Sequence, residues 1–572
     1  MRFAWGAAPP TTFDFFTFAL AALCVALAFI RPALFQWLFV AVEQRLVVLS
    51  KRRWLCALVI FLLPMAGRLL LLPVYQPPVP FIHDEYAYLL QADTFSSGRL
   101  SNPPLPFANQ LETIYIFATP TYSAEYEPGQ GFFLAMGERI FGCPWAGVLL
   151  SMGLFCALTY WAFLGWLRPS WALTGGLLVV VEIGVLSYWM NSYWGGCVPG
   201  IGGALTLGGL ARLRGRFRAL DAVLVAFGIF ILLCTRPLEG ALLSVLVAGF
   251  LLFWLLTTQP APKTLVLRLA LPMLAVFIPA ALFLAHYNHQ VTGKPTEVPY
   301  LLYRARYAIP QGFYWQKPPA AKAPMPADIE GEYRVQVIQR ERADSLKGFL
   351  VVTGGKLRKF WEFYIGVLPT VFLVALPFIW RERNMDIVLF STLIILGLYN
   401  LSYFAYFPHY SAAVGSIVFL VLIQCIQIVR RWGTAGLFLS RAVPAACVLS
   451  LLIAMSGKLA EPLLPASVKG IANFWNSQYV RWVSRERFVP DLQAEPGKQL
   501  VLIRYNPLLH ENDNAWTFNL ANLQNEKVVW ARESSDPNEN RRMIDFFKGR
   551  KVWLAEPDAT PQRIIPLSGP GQ

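Results

Sequence analysis

The sequence predicts an α-helical polytopic membrane protein with about 11–12 transmembrane helices and a small α/β domain at its C-terminal end. Of its 572 residues, 56% are hydrophobic and 15% are charged, whereas soluble proteins carry about 25% charged residues. The apolar residues form repeated continuous runs of roughly 16–22 residues, which is long enough to cross about 30 Å of hydrocarbon. After about residue 497 the runs become shorter, as expected for a soluble unit.

The first apolar stretch, near residues 14–30, predicts a retained anchor helix. It follows Asp14 and shows neither a basic segment before it nor a small-residue cleavage site. We therefore assign residues 1–53 to an anchor helix and a cytoplasmic segment. Hydropathy places about eleven further spans. They lie near residues 54–72, 146–166, 172–190, 197–212, 220–235, 238–256, 266–285, 361–380, 386–404, 411–429 and 436–456.

The charged connectors between these spans indicate orientation. Basic segments such as 212–218 and 381–383 fall on one side, which the positive-inside rule identifies as the cytoplasm. This distribution accounts for the net charge of +15 without nucleic acid as a partner. The opposite, periplasmic side receives loops 73–145 and 286–360 and the segment 457–572, and nearly every unusual polar residue falls there.

The C-terminal segment predicts a small periplasmic α/β domain. Residues 497–506, 526–533 and 550–558 have the composition of strands, and residues 538–549 have helical spacing that ends at Gly549. Such a unit serves either as a docking module or as a substrate-binding module.

Residues 80–98, PFIHDEYAYLLQADTFSSG, carry the adjacent carboxylates Asp84 and Glu85 a few residues past a predicted span. The apolar spacing that starts at Tyr86 predicts an amphipathic helix along the membrane interface, ending at Gly98. One interpretation is structural: Asp84 caps this helix and Glu85 favours its positive end. The other is chemical, because a carboxylate at a helix start beside the lipid boundary suits a general base. The two interpretations are compatible.

The turn TRPLEG places Arg236 and Glu239 at an outer membrane boundary. A snorkelling arginine with a carboxylate three residues on would explain them. Alternatively, Pro237 breaks the chain so that the guanidinium faces a cavity, where its fork binds phosphate.

The stretch YWMNSYWGG, residues 188–196, surrounds Asn191 with aromatic residues that include Tyr193 and Trp194. An aromatic belt at the membrane interface explains such residues. Sugar recognition also uses flat aromatic faces beside amides, so both interpretations stay open.

The segment 285–300 contains His286, Asn288, His289 and Lys294 just outside a span. The His-x-x-His spacing could hold a metal, but no third ligand is evident nearby, so a turn is the better interpretation.

FPHYSA places His409 and Tyr410 at the start of a span on the same side, as contacts for a lipid phosphate or as interfacial anchors. The eight cysteines lack metal-ligand spacing and mostly lie in or beside apolar runs, as small core residues do. No phosphate-binding loop, dinucleotide fingerprint or serine nucleophile elbow is present. A donor used on the outer face therefore arrives already activated, most simply as a lipid-linked phosphate.

Together these residues resemble the GT-C superfamily of integral membrane glycosyltransferases, and most closely the bacterial relatives of protein O-mannosyltransferases and lipid A aminoarabinose transferases. The resemblance covers roughly residues 54–456, as a transmembrane catalytic domain, and rests first on FIHDEYAYLLQADTFSSG. YEPGQGFFLAMGERIFG (126–142), CTRPLEG and FPHYSA add to it. The family often has Arg-Tyr where this chain has His409–Tyr410.

The resemblance implies an inverting transfer of a sugar from a polyprenyl-phosphate-linked donor, on the periplasmic face of the bacterial inner membrane. Asp84 would be the general base and Glu85 its partner. The donor phosphate would be bound by Arg236, His409 and Lys294. Substrate contacts would come from His83, Tyr88, Asn191, Tyr193, Trp194, Glu239, Asn288 and Tyr410. No cofactor is required, although some GT-C members use a divalent metal. The acceptor (a glycan, a lipid or a protein) and the sugar are left open.

The main rival is a transporter or flippase of a lipid-linked or anionic substrate, in which charges within the spans mark a path. Arg68 and Glu182 are the charged residues near span centres. A membrane scaffold is a second rival, but it leaves the clustering of Asp84, Arg236 and His409 on one side unexplained.

Overall fold

A computed structural model describes residues 12–215, 217–307, 313–314, 316, 325–381, 397, 402–403, 405–460, 485–506 and 516–567. The helices are α1 (Thr12–Ile30), α2 (Gln36–Ser50), α3 (Arg53–Leu69), α4 (His83–Ser96), α5 (Ala108–Leu111), α6 (Pro128–Phe141), α7 (Pro144–Phe163), α8 (Pro169–Val179), α9 (Cys197–Gly215), α10 (Ala219–Leu233), α11 (Pro237–Thr258), α12 (Pro262–Leu265), α13 (Leu271–Thr292), α14 (Pro299–Tyr307), α15 (Ala327–Glu341), α16 (Leu346–Tyr364), α17 (Gly415–Arg430), α18 (Gly433–Ala460), α19 (Val489–Ala494) and α20 (Pro537–Phe546). The strands are β1 (Ile116–Phe117), β2 (Ser123–Ala124), β3 (Lys498–Ile503), β4 (Val528–Arg532), β5 (Arg550–Glu556) and β6 (Arg563–Pro566). The predicted helical architecture with a C-terminal α/β unit is therefore confirmed.

Six helices in the described ranges are long and apolar enough to cross a membrane. They are Phe13–Ile30, Pro144–Phe163, Pro237–Thr258, Pro262–Thr292, Pro408–Arg430 and Gly433–Ala460. Two shorter apolar helices, Pro169–Gly184 and Ala219–Leu233, lie where further spans are predicted. Most of the predicted span 386–404 lies outside the described residues.

Two local predictions, both of them spans, are wrong. The predicted span 361–380 is broken: α16 is bent by 108° against the 3-10 helix that starts at Pro369, because Gly366 adopts a left-handed conformation, with φ +71°, just before a proline. The predicted span 172–190 ends early, in a π-turn that closes at Gly184. A second helix, α2, occupies part of the segment 31–53, whose cytoplasmic position stays a prediction.

Small residues let the helices of the membrane core approach closely, as is common in membrane bundles. A Cβ atom added to Gly203 of α9 would lie 1.9 Å from the carbonyl oxygen of Ala413. The short 3-10 helix Pro408–Val414 therefore packs with its backbone directly against α9. This contact fixes where His409 and Tyr410 lie.

The C-terminal unit forms a four-stranded sheet in the order β4-β3-β5-β6. Strands β4, β3 and β5 run parallel, with β4 at one edge, and β6 pairs antiparallel with β5 at the other edge. The strongly apolar run QLVLI of β3 fits a central parallel strand, which is covered on both faces. The three predicted strands and the predicted helix are confirmed, and the short edge strand β6 was not predicted.

The sheet unit packs directly on α4. The rings of Tyr86 and Phe518 stack with centroids 4.3 Å apart, and the Tyr86 hydroxyl donates to Glu486 at 2.8 Å. Farther along the helix, the Asp93 carboxylate accepts the N–H of Ala521 at 2.7 Å. The C-terminal unit thus covers α4 at Tyr86 and Asp93, whereas Phe95 stacks on Phe132 of α6 with centroids 4.5 Å apart. The place of this helix along the membrane interface stays a prediction.

Candidate active site

The start of α4 is fixed by Glu85, not by Asp84. The N-cap residue Ile82 has no side chain that could accept a hydrogen bond, so the Glu85 carboxylate accepts the N–H groups of Phe81 at 2.8 Å and Ile82 at 3.2 Å. A glutamate at the third helical position can reach back in this way. The predicted cap role of Asp84 is therefore wrong, and Glu85 has that role.

The second oxygen of Glu85 ties α4 to the turn that contains the predicted aromatic motif. It accepts the N–H of Tyr193 at 2.8 Å, and the carbonyl of Tyr193 accepts from Gln130 at 3.0 Å. Burial raises the pKa of Glu85 to about 7, against the three N–H groups that favour the ionised form. Tyr193 thus contributes backbone groups here, and Glu85 is a structural carboxylate.

Asp84 lies one residue earlier and faces a different environment. Its Oδ1 accepts a hydrogen bond of 2.5 Å from the Tyr126 hydroxyl, and its Oδ2 lies 3.6 Å from Nε2 of His83. The side chain is 17% exposed, so one oxygen is held while the carboxylate stays partly accessible. This is the arrangement that a general base requires.

Phenol rings form one wall beside Asp84. Tyr126 stacks on Tyr88 with centroids 4.6 Å apart and meets Tyr115 edge-on at 5.6 Å. The Tyr115 hydroxyl donates to Glu332 at 2.6 Å, and Glu332 also lies 3.9 Å from His83. Aromatic faces that carry hydroxyl groups beside a carboxylate suit the binding of a sugar.

Glu125 is a candidate site residue that the sequence analysis did not identify. It is 0% exposed, and neither carboxylate oxygen has a hydrogen-bond partner in the described part of the chain. Burial raises its pKa well above the usual range, although the Arg304 guanidinium favours the ionised form. Because Asp84 and Glu332 are also within electrostatic reach, Glu125 belongs to the same acidic surroundings. Its position next to the motif YEPGQG was the available signal.

Arg236 approaches the same place from the start of α11. Its guanidinium carbon lies 4.7 Å from the centroid of the Tyr410 ring. Tyr88 and Tyr410 are each within electrostatic reach of both Asp84 and Arg236, and Glu239 is within reach of Tyr88. The structure thus brings together a carboxylate and a cation that are about 150 residues apart in the chain.

His409 and Trp194 extend this group. Their rings lie 4.5 Å apart, and the imidazole also meets the Tyr410 ring at 4.7 Å. His409 is 1% exposed and hydrogen-bonds through Nδ1 to the Tyr188 hydroxyl at 2.8 Å. These contacts connect His409 through Tyr410 to Arg236.

Three predicted residues lie elsewhere or serve the fold. Lys294 is in an exposed turn, 70% exposed, with its amine 3.5 Å from Glu297. Asn288 is buried beneath that turn and donates to the carbonyl of Pro295 at 3.4 Å. Asn191 accepts from the buried Arg68 at 2.6 Å. Their contacts are those of structural residues.

Within the residues that the structure describes, no group of three or more His, Cys, Asp and Glu side chains is placed to hold a metal ion.

No family model matches the chain, and no curated protein matches it. Among solved structures, ArnT from Cupriavidus metallidurans bound to undecaprenyl phosphate is 15% identical, with 92% of this chain and 93% of that chain covered and a TM-score of 0.48. The archaeal oligosaccharyltransferase AglB from Archaeoglobus fulgidus, in complex with an inhibitory peptide and a dolichol-phosphate, is 11% identical, with 88% of this chain and 69% of that chain covered and a TM-score of 0.46. The apo oligosaccharyltransferase from the same organism is 13% identical, with 79% of this chain covered and a TM-score of 0.42, and this chain spans 62% of its length. These are the proteins to which the chain is similar. Because the identities and TM-scores are this low, an inference about activity has to rest on the residues of this chain itself.

Proposed function

We propose that this chain is a glycosyltransferase that moves a sugar from a polyprenyl-phosphate-linked donor to an acceptor hydroxyl, with inversion at the anomeric carbon. The observation that carries the proposal is the convergence of Asp84 and Arg236 on the phenols of Tyr88 and Tyr410. One site then holds a partly accessible carboxylate and a cation within electrostatic reach of the same two phenols.

The reaction needs a base on one side of the anomeric carbon and charge stabilisation of the departing phosphate on the opposite side. Asp84 takes the proton from the acceptor hydroxyl as that oxygen forms a bond to the anomeric carbon. The bond from the anomeric carbon to the phosphate oxygen breaks, and its electron pair leaves with the polyprenyl phosphate. Arg236 holds that phosphate by charge-assisted hydrogen bonds.

The hydrogen bond from Tyr126 supports this role for Asp84. It fixes the carboxylate in one orientation and leaves the remaining oxygen for the acceptor. Both oxygens of Glu85 accept hydrogen bonds from backbone N–H groups. The rings of Tyr88 and Tyr126 therefore orient the acceptor.

We place this site on the periplasmic face of a bacterial inner membrane. The support is the alternation of basic connectors along the chain, since α4 and the turn at Arg236 both lie opposite to them. A lipid-linked donor would reach the site from the outer leaflet.

The transport alternative would require charges that line a path through the bundle. Arg68, predicted near a span centre, lies in the last turn of α3. It donates to the carbonyls of Tyr75 at 2.8 Å and Gln76 at 2.9 Å as well as to Asn191. A guanidinium used in this way is a structural clamp, which favours the enzyme over the transporter.

The test is Asp84→Asn, which keeps the volume and the acceptor oxygen for Tyr126 but removes the base. We expect release of polyprenyl phosphate from a panel of synthetic polyprenyl-phosphate sugars to fall by about 10²–10⁴-fold. The thermal midpoint and the binding of undecaprenyl phosphate should be unchanged. Asp545→Asn, at an exposed position of α20, is the matched control and should retain activity. Full turnover by the Asp84→Asn protein would refute the assignment of the base.

A further inference from the structure

His409 is held by two hydrogen bonds to one hydroxyl group. Its backbone N–H donates to the Tyr188 oxygen at 2.9 Å, and its Nδ1 lies 2.8 Å from the same oxygen. A phenol oxygen has one proton to donate and two lone pairs to accept with. With one lone pair taken by the backbone N–H, the phenol proton is placed to be donated to Nδ1.

The surroundings of the imidazole favour its neutral form. Aromatic rings enclose it: Trp194 lies 4.5 Å away, Tyr410 4.7 Å away and Phe407 5.7 Å away by ring centroids. None of the described carboxylates pairs with it, and an isolated buried charge is strongly disfavoured. A neutral imidazole that accepts at Nδ1 carries its hydrogen on Nε2.

The Nε2 atom is buried and has no hydrogen-bond partner among the described residues. A buried donor without an acceptor is unfavourable, and none of the described residues supplies an acceptor for Nε2. The neighbouring Tyr410 ring is the one that the Arg236 guanidinium covers. An acceptor oxygen that belongs to an anion held by Arg236 would meet this need.

We infer that Tyr188 is a positioning residue that holds His409 in the tautomer with hydrogen on Nε2, and that this N–H donates to a phosphate oxygen of the lipid-linked donor. The inference rests on the proposed function of the site and assigns different roles to Arg236 and His409 in binding the phosphate. Arg236 supplies charge, and His409 supplies a directional hydrogen bond without charge. Tyr188 acts through His409 and does not touch the donor.

The first experiment measures the tautomer in the full-length protein labelled with ¹⁵N-histidine. The chain has five histidines, and the signal absent from the His409→Gln protein identifies His409. We expect a protonated Nε2 and a bare Nδ1 in the wild type, and a mixture of both tautomers in Tyr188→Phe. A protonated Nδ1 in the wild type would overturn the inference, whatever the activity of the protein.

The second experiment adds undecaprenyl phosphate to the same sample, with undecaprenol as the probe that lacks phosphate. We expect the Nε2 signal of His409 to shift with the phosphate alone. A shift with neither lipid, or with both, would contradict phosphate as the acceptor. Repeating the titration with Asp84→Asn separates the two proposals, because that variant lacks the base but keeps the phosphate site.

Substitution gives a third, independent readout. The amide nitrogen of glutamine can replace Nε2, whereas that of asparagine reaches only the Nδ1 position. We expect His409→Gln to keep the affinity for undecaprenyl phosphate within about threefold and His409→Asn to lose about tenfold or more. Tyr188→Phe should weaken binding in the wild type but have little effect in the His409→Gln background. Equal losses in both histidine variants, or additive losses with Tyr188→Phe, would contradict a role of the tautomer.

Discussion

Asp84 and Glu85 are neighbours in the chain, but the fold gives them different surroundings. Successive helical residues point about 100° apart, so one carboxylate turns back to the backbone and the other faces Tyr126. The third helical position of Glu85 is a known capping position and could have been recognised. The partners Tyr126 and Tyr193 could not, because both come from distant turns.

Glu127 allows a test of carboxylate burial at the residue scale. It precedes α6 and is buried, and burial raises its pKa from 4.5 to about 7. The folded state therefore keeps its proton up to about pH 7, whereas the unfolded state loses it near pH 4.5. The free energy of unfolding is thus highest at low pH, and it falls by about 3 kcal/mol as the pH rises from 4.5 through 7.

We expect the thermal midpoint of the solubilised protein to fall between pH 5 and pH 8, and Glu127→Gln to reduce this fall. Glutamine mimics the protonated acid, so the variant should match the wild type at pH 5. Glu341→Gln, at an exposed position of α15, is a control that should retain the wild-type slope. An unchanged slope in Glu127→Gln would show that another group is responsible.

At the scale of elements, the sequence predicts what depends on local pattern. The start of α4 after a proline-rich segment, the stop at Gly98 and the strands β3 to β5 are all where their composition indicates. The break after α16 had a local signal too, Gly366 followed by Pro369, but an average of hydropathy passes over it. Which residues pack against each helix could not be predicted in this way, because packing depends on contacts between distant segments.

The close crossing of α9 with the 3-10 helix at Pro408–Val414 gives an element-scale prediction. Gly203→Ala places a methyl group where the Ala413 carbonyl oxygen now lies, so the two elements must separate, at a cost of about 1–3 kcal/mol. We expect a lower thermal midpoint and weaker binding of undecaprenyl phosphate, because His409 and Tyr410 move with the 3-10 helix.

Gly249→Ala in α11 is the matched control, since a Cβ atom there meets nothing within 4 Å. It should bind the lipid phosphate as the wild type does. Equal affinity in the Gly203→Ala protein would show that the crossing does not position the phosphate site.

At the scale of the whole molecule, buried polar contacts join the C-terminal unit to the loops 73–145 and 286–360. Arg532 of β4 donates to the buried Asp328 of α15 and, at 2.9 Å, to the carbonyl of Glu112. Asp328 also accepts from Thr113 at 2.6 Å. Composition predicted the sheet, but no local signal could have shown that it closes over α4 and α15.

Arg532→Met tests this docking. It leaves Asp328 buried without its cation, which should lower the free energy of unfolding by about 3–5 kcal/mol, and limited proteolysis should release the C-terminal unit sooner. Arg504→Met is the control: its pair with Glu533 is of similar length but half-exposed, so the change should stay below about 1 kcal/mol. Wild-type protease resistance in Arg532→Met would contradict the docking role.

The stacking of Tyr86 under Phe518 also has a consequence for the order in which the chain becomes functional during synthesis. The hydrogen bond between Tyr86 and Glu486 joins residues 400 positions apart. The helix with the proposed base therefore leaves the ribosome long before its cover has been made. Until Glu486 and the strands that follow it have been synthesised and folded, the Tyr86 side of this helix has no cover. A nascent chain of this protein would acquire a complete site only after that segment has been made.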